Sequence, residues 1–278
     1  MDRDAPSENR SPDVSYMLSQ NTTARMLFWA LAALALGQAL QYSSGFLSAP
    51  ALGWLTFALI FAGTGVASQR RSFTPIPAKA FWAVLVAGLI WQVLELLTSL
   101  PAMQVSPAYL QQIWQFRGSI LLGGVSALLS LAPGARYPVW VQRGLVATVF
   151  VAILAAGVWI IRASPKPFID VYIFQQSSSE ALLAGHNPYE LTPPNIYGDM
   201  PLYGPELVRD GRLTIGNPYP PLSIYFSLLG YVIGGDIRYA YLAAILITGL
   251  LMSFLRPGRE ALLAAYIFLF TPRSFFVL

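Results

Sequence analysis

Apolar residues run along this chain in long blocks broken by short polar breaks, with no sustained helical or two-residue alternation inside the blocks. Blocks of this kind are read as membrane-length helices, because an amphipathic soluble helix would interrupt them every few positions. The pattern predicts eight helices, at residues 26–40 (extending to 47), 51–67, 80–100, 113–132, 145–161, 222–233, 239–255 and 262–278. One long polar interruption, 170–222, stands between the fifth and sixth. It holds six of the 13 acidic residues and the single histidine, His186. The fold class expected is therefore all-α, a polytopic membrane protein with one long loop held at a bilayer surface.

Composition strengthens this reading. Of 278 residues 55% are hydrophobic and 11% charged, with mean hydropathy +0.55; soluble domains carry about 25% charged residues. The net charge of +4 comes from scattered arginines at the ends of apolar blocks, not from a basic patch of the kind that binds nucleic acid. With no cysteine there is no disulfide framework, thiolate nucleophile or Cys-ligated metal, and one histidine excludes a multi-histidine site.

Three segments follow. Residues 1–24, with Asp2, Arg3, Asp4, Glu8, Arg10 and Asp13, read as a disordered tail. Residues 25–142 form a four-helix membrane module, and 143–278 a second module that contains the loop at 163–221. The chain ends in apolar sequence, FTPRSFFVL, which fits a fragment or a split half.

Strict alternation of eight spans puts Arg70, Arg71, Lys79, Arg136, Arg143 and Arg238 on one side with the N-terminus. The positive-inside rule makes that side cytoplasmic and the 170–222 loop external. Arg256 and Arg259 then fall outside, against the rule. Trp29, Trp54, Trp82, Trp114 and Trp159 lie near block ends, as interfacial anchors do. Glu95 and Arg117, each about five residues inside its span, either pair with one another or snorkel separately.

Within the loop, 168–184 reads as a surface helix presenting Ile169, Tyr172, Ile173, Gln176, Glu180 and Leu183, with Ser177–Ser179 on another face. Asp170, in its first turn, is either a macrodipole-stabilised helix residue or a general base. Two Asn-Pro-Tyr tripeptides, at 187–189 and 217–219, are turn nuclei, since proline disfavours helix before it and Asn forms Asx turns. The loop acids show no metal-ligand spacing.

An Asp on an external helix, then LLAGHNPY, then YPPL entering a membrane helix, resembles the GT-C glycosyltransferases, glycosyltransferase family 87 and mannosyltransferase-like branches in particular, over residues 145–278. The matching positions are Asp170, Tyr172, Gly185, Asn187, Pro188, Tyr189, Tyr219, Pro220 and Pro221. The resemblance implies transfer of a mannose-like hexose from a polyprenyl-phosphate donor to a glycan or glycolipid acceptor, with inversion, at the outer face of a bacterial cytoplasmic membrane. It implies no cofactor, Asp170 as catalytic base, and Tyr172, His186, Asn187, Tyr189, Tyr219 and Arg273 as substrate contacts. Arg256 and Arg259 are further candidates for lipid phosphate. A transporter, a glycolipid flippase and an inactive assembly subunit are the alternatives; broken helices or internal repeats, which mark transporters, are not evident in the sequence.

Overall fold

The computed structural model describes residues 14–43, 47–68, 78–99, 105–132, 137–198, 200, 202–255 and 258–276. The charged residues up to Asp13, and Arg70, Arg71, Arg136, Asp199 and Arg256, lie outside the described residues. The regular structure of the described residues is helical, as the apolar blocks require, apart from one short hairpin in the loop.

Among the described residues three helices are long and apolar enough to cross a bilayer: α2 (Ala49–Ala67), α3 (Ala78–Thr98) and α6 (Val139–Ala163). A fourth candidate is the pair α8 (Pro221–Gly234) and α9 (Arg238–Leu255), apolar enough together but bent by 102°. The expected eight blocks thus yield three spans by this measure, or four counting the pair. The first block is the C-terminal part of α1 (Val14–Ser43), which begins well inside the stretch read as tail. The last is divided into α10 (Arg259–Leu269) and α11 (Pro272–Phe276), because Thr271-Pro272 breaks the helix.

Compactness divides the chain within α3, into Met1–Gly88 and Leu89–Leu278. In the first unit α1 and α2 pack side by side. Ser48 caps α2 by accepting from the Ala51 N–H at 3.2 Å, and Gly65 lies against the Trp29 ring.

The second unit is built on an antiparallel bundle of α5 (Ile113–Leu131), α6, α9 and α10–α11. Small residues let the helices approach where burial in lipid supplies little drive for them to associate. A methyl on Gly123 would touch Ala152 at 3.0 Å, one on Gly124 would strike Val93 at 2.9 Å, and one on Gly157 would strike Leu242 at 2.4 Å. This packing joins α5 to α6 and to the end of α3, and α6 to α9.

The bundle has two distinct ends. At one, the Gln142 amide donates to the Ser130 carbonyl at 3.0 Å, Arg259 donates to the Ala132 carbonyl, and Tyr266 and Ser130 share a 2.9 Å hydroxyl bond. At the other, the Ser106 N–H donates to the Ala163 carbonyl at 2.8 Å and Phe116 packs on Trp159, ring centroids 5.6 Å apart. Trp159 is only 6% exposed, so it is a core residue and not an interfacial anchor; Trp114, 67% exposed, keeps the anchor position.

Arg238 corrects the strict alternation. Its guanidinium donates to the Ile161 carbonyl at 3.0 Å, at the end of α6 that leads into the polar loop. It therefore lies at the same end of the bundle as Asp170, not across from it. The physical reason lies in α8, which spans about 21 Å at 1.5 Å per residue and then turns back sharply. Gly235, at φ 74°, ends it in the left-handed conformation, donating to the Tyr231 carbonyl at 2.7 Å. Gly230 lets the two helices cross; a side chain there would come within 2.4 Å of the Ile237 carbonyl. Block counting registers an apolar run but not its direction.

Among the described residues, ion pairs join Arg238 to Asp236 and Arg209 to Asp210.

Candidate functional site

The helix α6 ends at Ser164-Pro165-Lys166-Pro167, where two prolines prevent its continuation. The chain turns through an Ile169 N–H to Pro167 carbonyl bond of 2.9 Å and starts α7 (Asp170–Leu183) directly on Asp170. That carboxylate is gripped on both oxygens. One accepts from the Val171 N–H at 2.8 Å, and the other accepts from the Tyr203 hydroxyl. The Asp170 N–H in turn donates to the Tyr197 hydroxyl at 3.2 Å. The macrodipole of α7 adds favourable charge at this first turn, so the bland and the chemical readings of Asp170 describe the same placement.

Neither Tyr197 nor Tyr203 stood out in the sequence. An Asx turn delivers the first, its N–H donating to the Asn195 side-chain carbonyl at 3.1 Å. Asn195 is tied to a small hairpin, β1 (Val208–Arg209) against β2 (Arg212–Leu213), through its N–H to the Gly211 carbonyl at 2.9 Å. Asp210 and Gly211 form the reversal at φ 51° and 72°, as a two-residue Asp-Gly turn requires. The only sequence signal was two tyrosines in a polar, turn-rich stretch followed by Asp-Gly. Burial first, and the Asp170 charge among the further causes, push the Tyr197, Tyr203 and Tyr219 phenols up. Tyr203 therefore stays protonated and keeps donating across the neutral range.

Both Asn-Pro-Tyr segments form the Asx turns expected of them. The Tyr189 N–H donates to the Asn187 carbonyl oxygen at 3.1 Å, and the Tyr219 N–H to that of Asn217 at 2.7 Å. They are also joined, which the sequence did not announce: the Tyr189 hydroxyl donates to the Tyr219 carbonyl at 3.1 Å. Gly216 sits beneath the first turn, where a Cβ would lie 2.0 Å from the Tyr189 carbonyl oxygen. Buried Asn217 donates to Ser178 Oγ at 2.6 Å and to the Phe174 carbonyl at 3.3 Å.

These bonds decide which face of α7 is buried. Its buried residues are Phe174, Gln175, Ser178, Ser179 and Ala181, while Leu183 is 56% exposed. The small serines admit Asn217 closely, and Gln175 reaches Ser223 of α8 at 3.2 Å. Hydrogen bonding to the loop, more than burial of an apolar stripe, seats this helix.

His186, Asn187 and Tyr189 line an open groove of about 500 Å³ together with Leu182, Ile224 and Tyr225. His186 is exposed. Tyr219 stands between the groove and the carboxylate: its carbonyl holds Tyr189, its ring meets Phe174 at 6.4 Å, and its phenol feels the Asp170 charge. Arg273 lies in α11, where the nearby Phe275 ring meets Phe116. Arg259 is at the opposite end of the bundle from Asp170, which removes it as a phosphate ligand for this site.

Tyr172 faces the α8–α9 turn. Its hydroxyl donates to Asp236 at 3.3 Å, and the Arg238 guanidinium sits over its ring at 4.9 Å. Arg238 also binds Asp236 at 2.6 Å, while Gln176 donates to the Gly235 carbonyl at 3.0 Å and accepts from the Ile237 N–H at 3.2 Å. Burial, with the Asp236 charge second, pushes the Tyr172 phenol from 10.0 up to about 12. The native state thus holds this proton more tightly than the unfolded chain. Its contribution to stability is complete below about pH 10 and is lost as pH rises through 12. In a tyrosinate absorbance titration, with Tyr172→Phe as the difference reference, Asp236→Asn should lower this pKa and Arg238→Ala should raise it. Shifts in the opposite directions would show that the phenol does not sense this pair.

Among the described residues no three His, Asp or Glu side chains converge on a metal position. In comparison with known proteins, the chain matches no family model, no curated protein and no solved structure.

Proposed function

We propose that this chain is a polytopic membrane glycosyltransferase of the GT-C kind, taking a mannose-like hexose from a polyprenyl phosphate to an acceptor hydroxyl. The observation that carries the reading is the Asp170 carboxylate. It is braced by Tyr203 at the exit of an apolar helix, at the start of the same polar loop whose His186, Asn187 and Tyr189 line the groove. In this scheme the acceptor O–H gives its proton to Asp170 as its oxygen attacks the anomeric carbon. The bond from that carbon to the phosphate oxygen breaks, and the lipid phosphate leaves with the electron pair. One base and one displacement invert the anomeric centre. The donor's tail lies among helices and its sugar reaches the groove.

The same reading assigns sides. With α8 lying along the surface instead of crossing, the α9–α10 connection comes to the end that holds Gln142 and Arg259. Arg143 and Arg259 then share the cytoplasmic side. Arg238 is left outside, neutralised by Asp236. Arg259, which opposed the positive-inside rule under strict alternation, now obeys it. Because the chain has no cysteine, single Cys residues report sides cleanly. Asn195→Cys and Ile233→Cys should both react with an impermeant thiol reagent from outside, and Glu260→Cys only after permeabilisation. Reaction of Ile233→Cys with Glu260→Cys and not with Asn195→Cys would restore α8 as a span.

A transporter or flippase is the second reading, and the 102° break between α8 and α9 favours it, since discontinuous helices form many transport sites. Reconstituted protein distinguishes them. Glycosyltransferase activity requires sugar transfer from a polyprenyl-phosphate hexose to an acceptor glycan, whereas transport moves the labelled substrate across the bilayer unchanged.

A further inference from the structure

A second groove, of about 530 Å³, runs between α5 and α6 on a different part of the bundle from the His186 groove and shares no residue with it. Its head is polar: Arg162 in the last turn of α6, with Gln112 and Gln115 at the start of α5. The Arg162 side chain is exposed and makes no hydrogen bond or ion pair with another described residue. The Gln112 side-chain carbonyl takes the Gln115 amide at 3.5 Å, leaving the Gln112 amide nitrogen without a partner among the described residues. Further along, the wall is apolar, formed by Leu154, Ala155 and Val151, the last 64% exposed.

A helix C-terminus alone accounts for an arginine. It does not account for two glutamines beside it at the head of an apolar slot. We infer that this groove is a binding site for one anionic phospholipid of the outer leaflet, its phosphate on Arg162 and Gln112 and one acyl chain along Leu154 and Val151. Length decides the occupant. From Arg162 to Val151 the helix rises about 16 Å, close to one leaflet of a hydrocarbon core about 30 Å thick. An acyl chain fills that depth, whereas a long polyprenyl chain overruns it. The inference rests on the membrane reading of α6 and not on the chemistry of Asp170.

The test is native mass spectrometry of the detergent-purified full chain with phosphatidylglycerol and phosphatidylcholine of matched acyl chains. The wild-type protein should retain the anionic lipid on the order of tenfold better, the scale of one charged contact. Arg162→Gln should abolish that preference and Arg162→Lys should restore most of it. Leu154→Trp, which fills the slot without touching the charge, should lower retention of both lipids. Asp170→Asn should leave retention unchanged, so that loss of sugar transfer and loss of lipid binding are read separately. An unaltered preference in Arg162→Gln would overturn the assignment. Equal displacement of phosphatidylglycerol by a long-chain polyprenyl phosphate would also overturn it, transferring the groove to the carrier lipid.

Discussion

Asp170→Asn should lower sugar transfer from a polyprenyl-phosphate hexose by about 10²–10⁴-fold, the range that a positioned general base contributes. The substitution is close to isosteric. Its carbonyl oxygen can still accept from Val171 or Tyr203, so the start of α7 should persist. What disappears is the ability to take the acceptor's proton as the new bond forms. The loss should therefore fall on the transfer step, with donor binding by the groove largely retained. Tyr203→Phe separates positioning from chemistry. It removes the brace on one carboxylate oxygen and should cost much less than Asp170→Asn, with a change in the pH profile of transfer. Wild-type transfer by Asp170→Asn in a protein of normal thermal stability would end the assignment of the base.

Arg238→Ala should be the most destabilising single substitution around the polar loop, by about 3–5 kcal/mol, the cost of leaving a buried charge without its partner. Arg238 is 3% and Asp236 14% exposed, and the pair also anchors Tyr172 and the end of α6. The double substitution Asp236→Ala with Arg238→Ala should cost clearly less than the sum of the two single ones, because it leaves no orphaned carboxylate. Thermal or denaturant unfolding in mixed micelles measures both. Additive losses would mean that the two residues act independently and that α7 is held by Gln176 and Asn217 alone.

The consequence of this pair goes beyond stability. It clamps the α8–α9 turn to the beginning of the helix that carries Asp170. The groove of His186, Asn187 and Tyr189 lies between the same two elements, with Leu182 from α7 and Ile224 from α8. A displaced α8 would open that groove and disturb the contact of Tyr219 with Tyr189. Stability at Arg238 and geometry at the groove are thus parts of one arrangement.

Much of this was legible in the sequence because it is local. The Asn-Pro-Tyr turns followed from the proline that stiffens each one and the Asn side chain that reaches two residues on. Tyr197 and Tyr203 were not legible. Their role depends on Asn195 and the hairpin, which bring them back to a carboxylate some thirty positions earlier in the chain. The burial of the serine face of α7 was not legible for a related reason. Small polar residues look like a solvent face until a buried partner such as Asn217 is supplied.

By itself, then, the sequence determined the helical, membrane-like character of this protein, its polar loop, the turns within the loop and the prominence of Asp170. Each of these follows from composition or from bonds spanning a few residues. The tertiary structure alone decided that α8 turns back, that Arg238 faces the loop, and that Arg259 belongs to the other end of the bundle. Those outcomes depend on glycines whose missing side chains admit a neighbouring helix, and on buried bonds between distant residues. An apolar run has the same hydropathy whether it crosses a membrane or folds back along its surface.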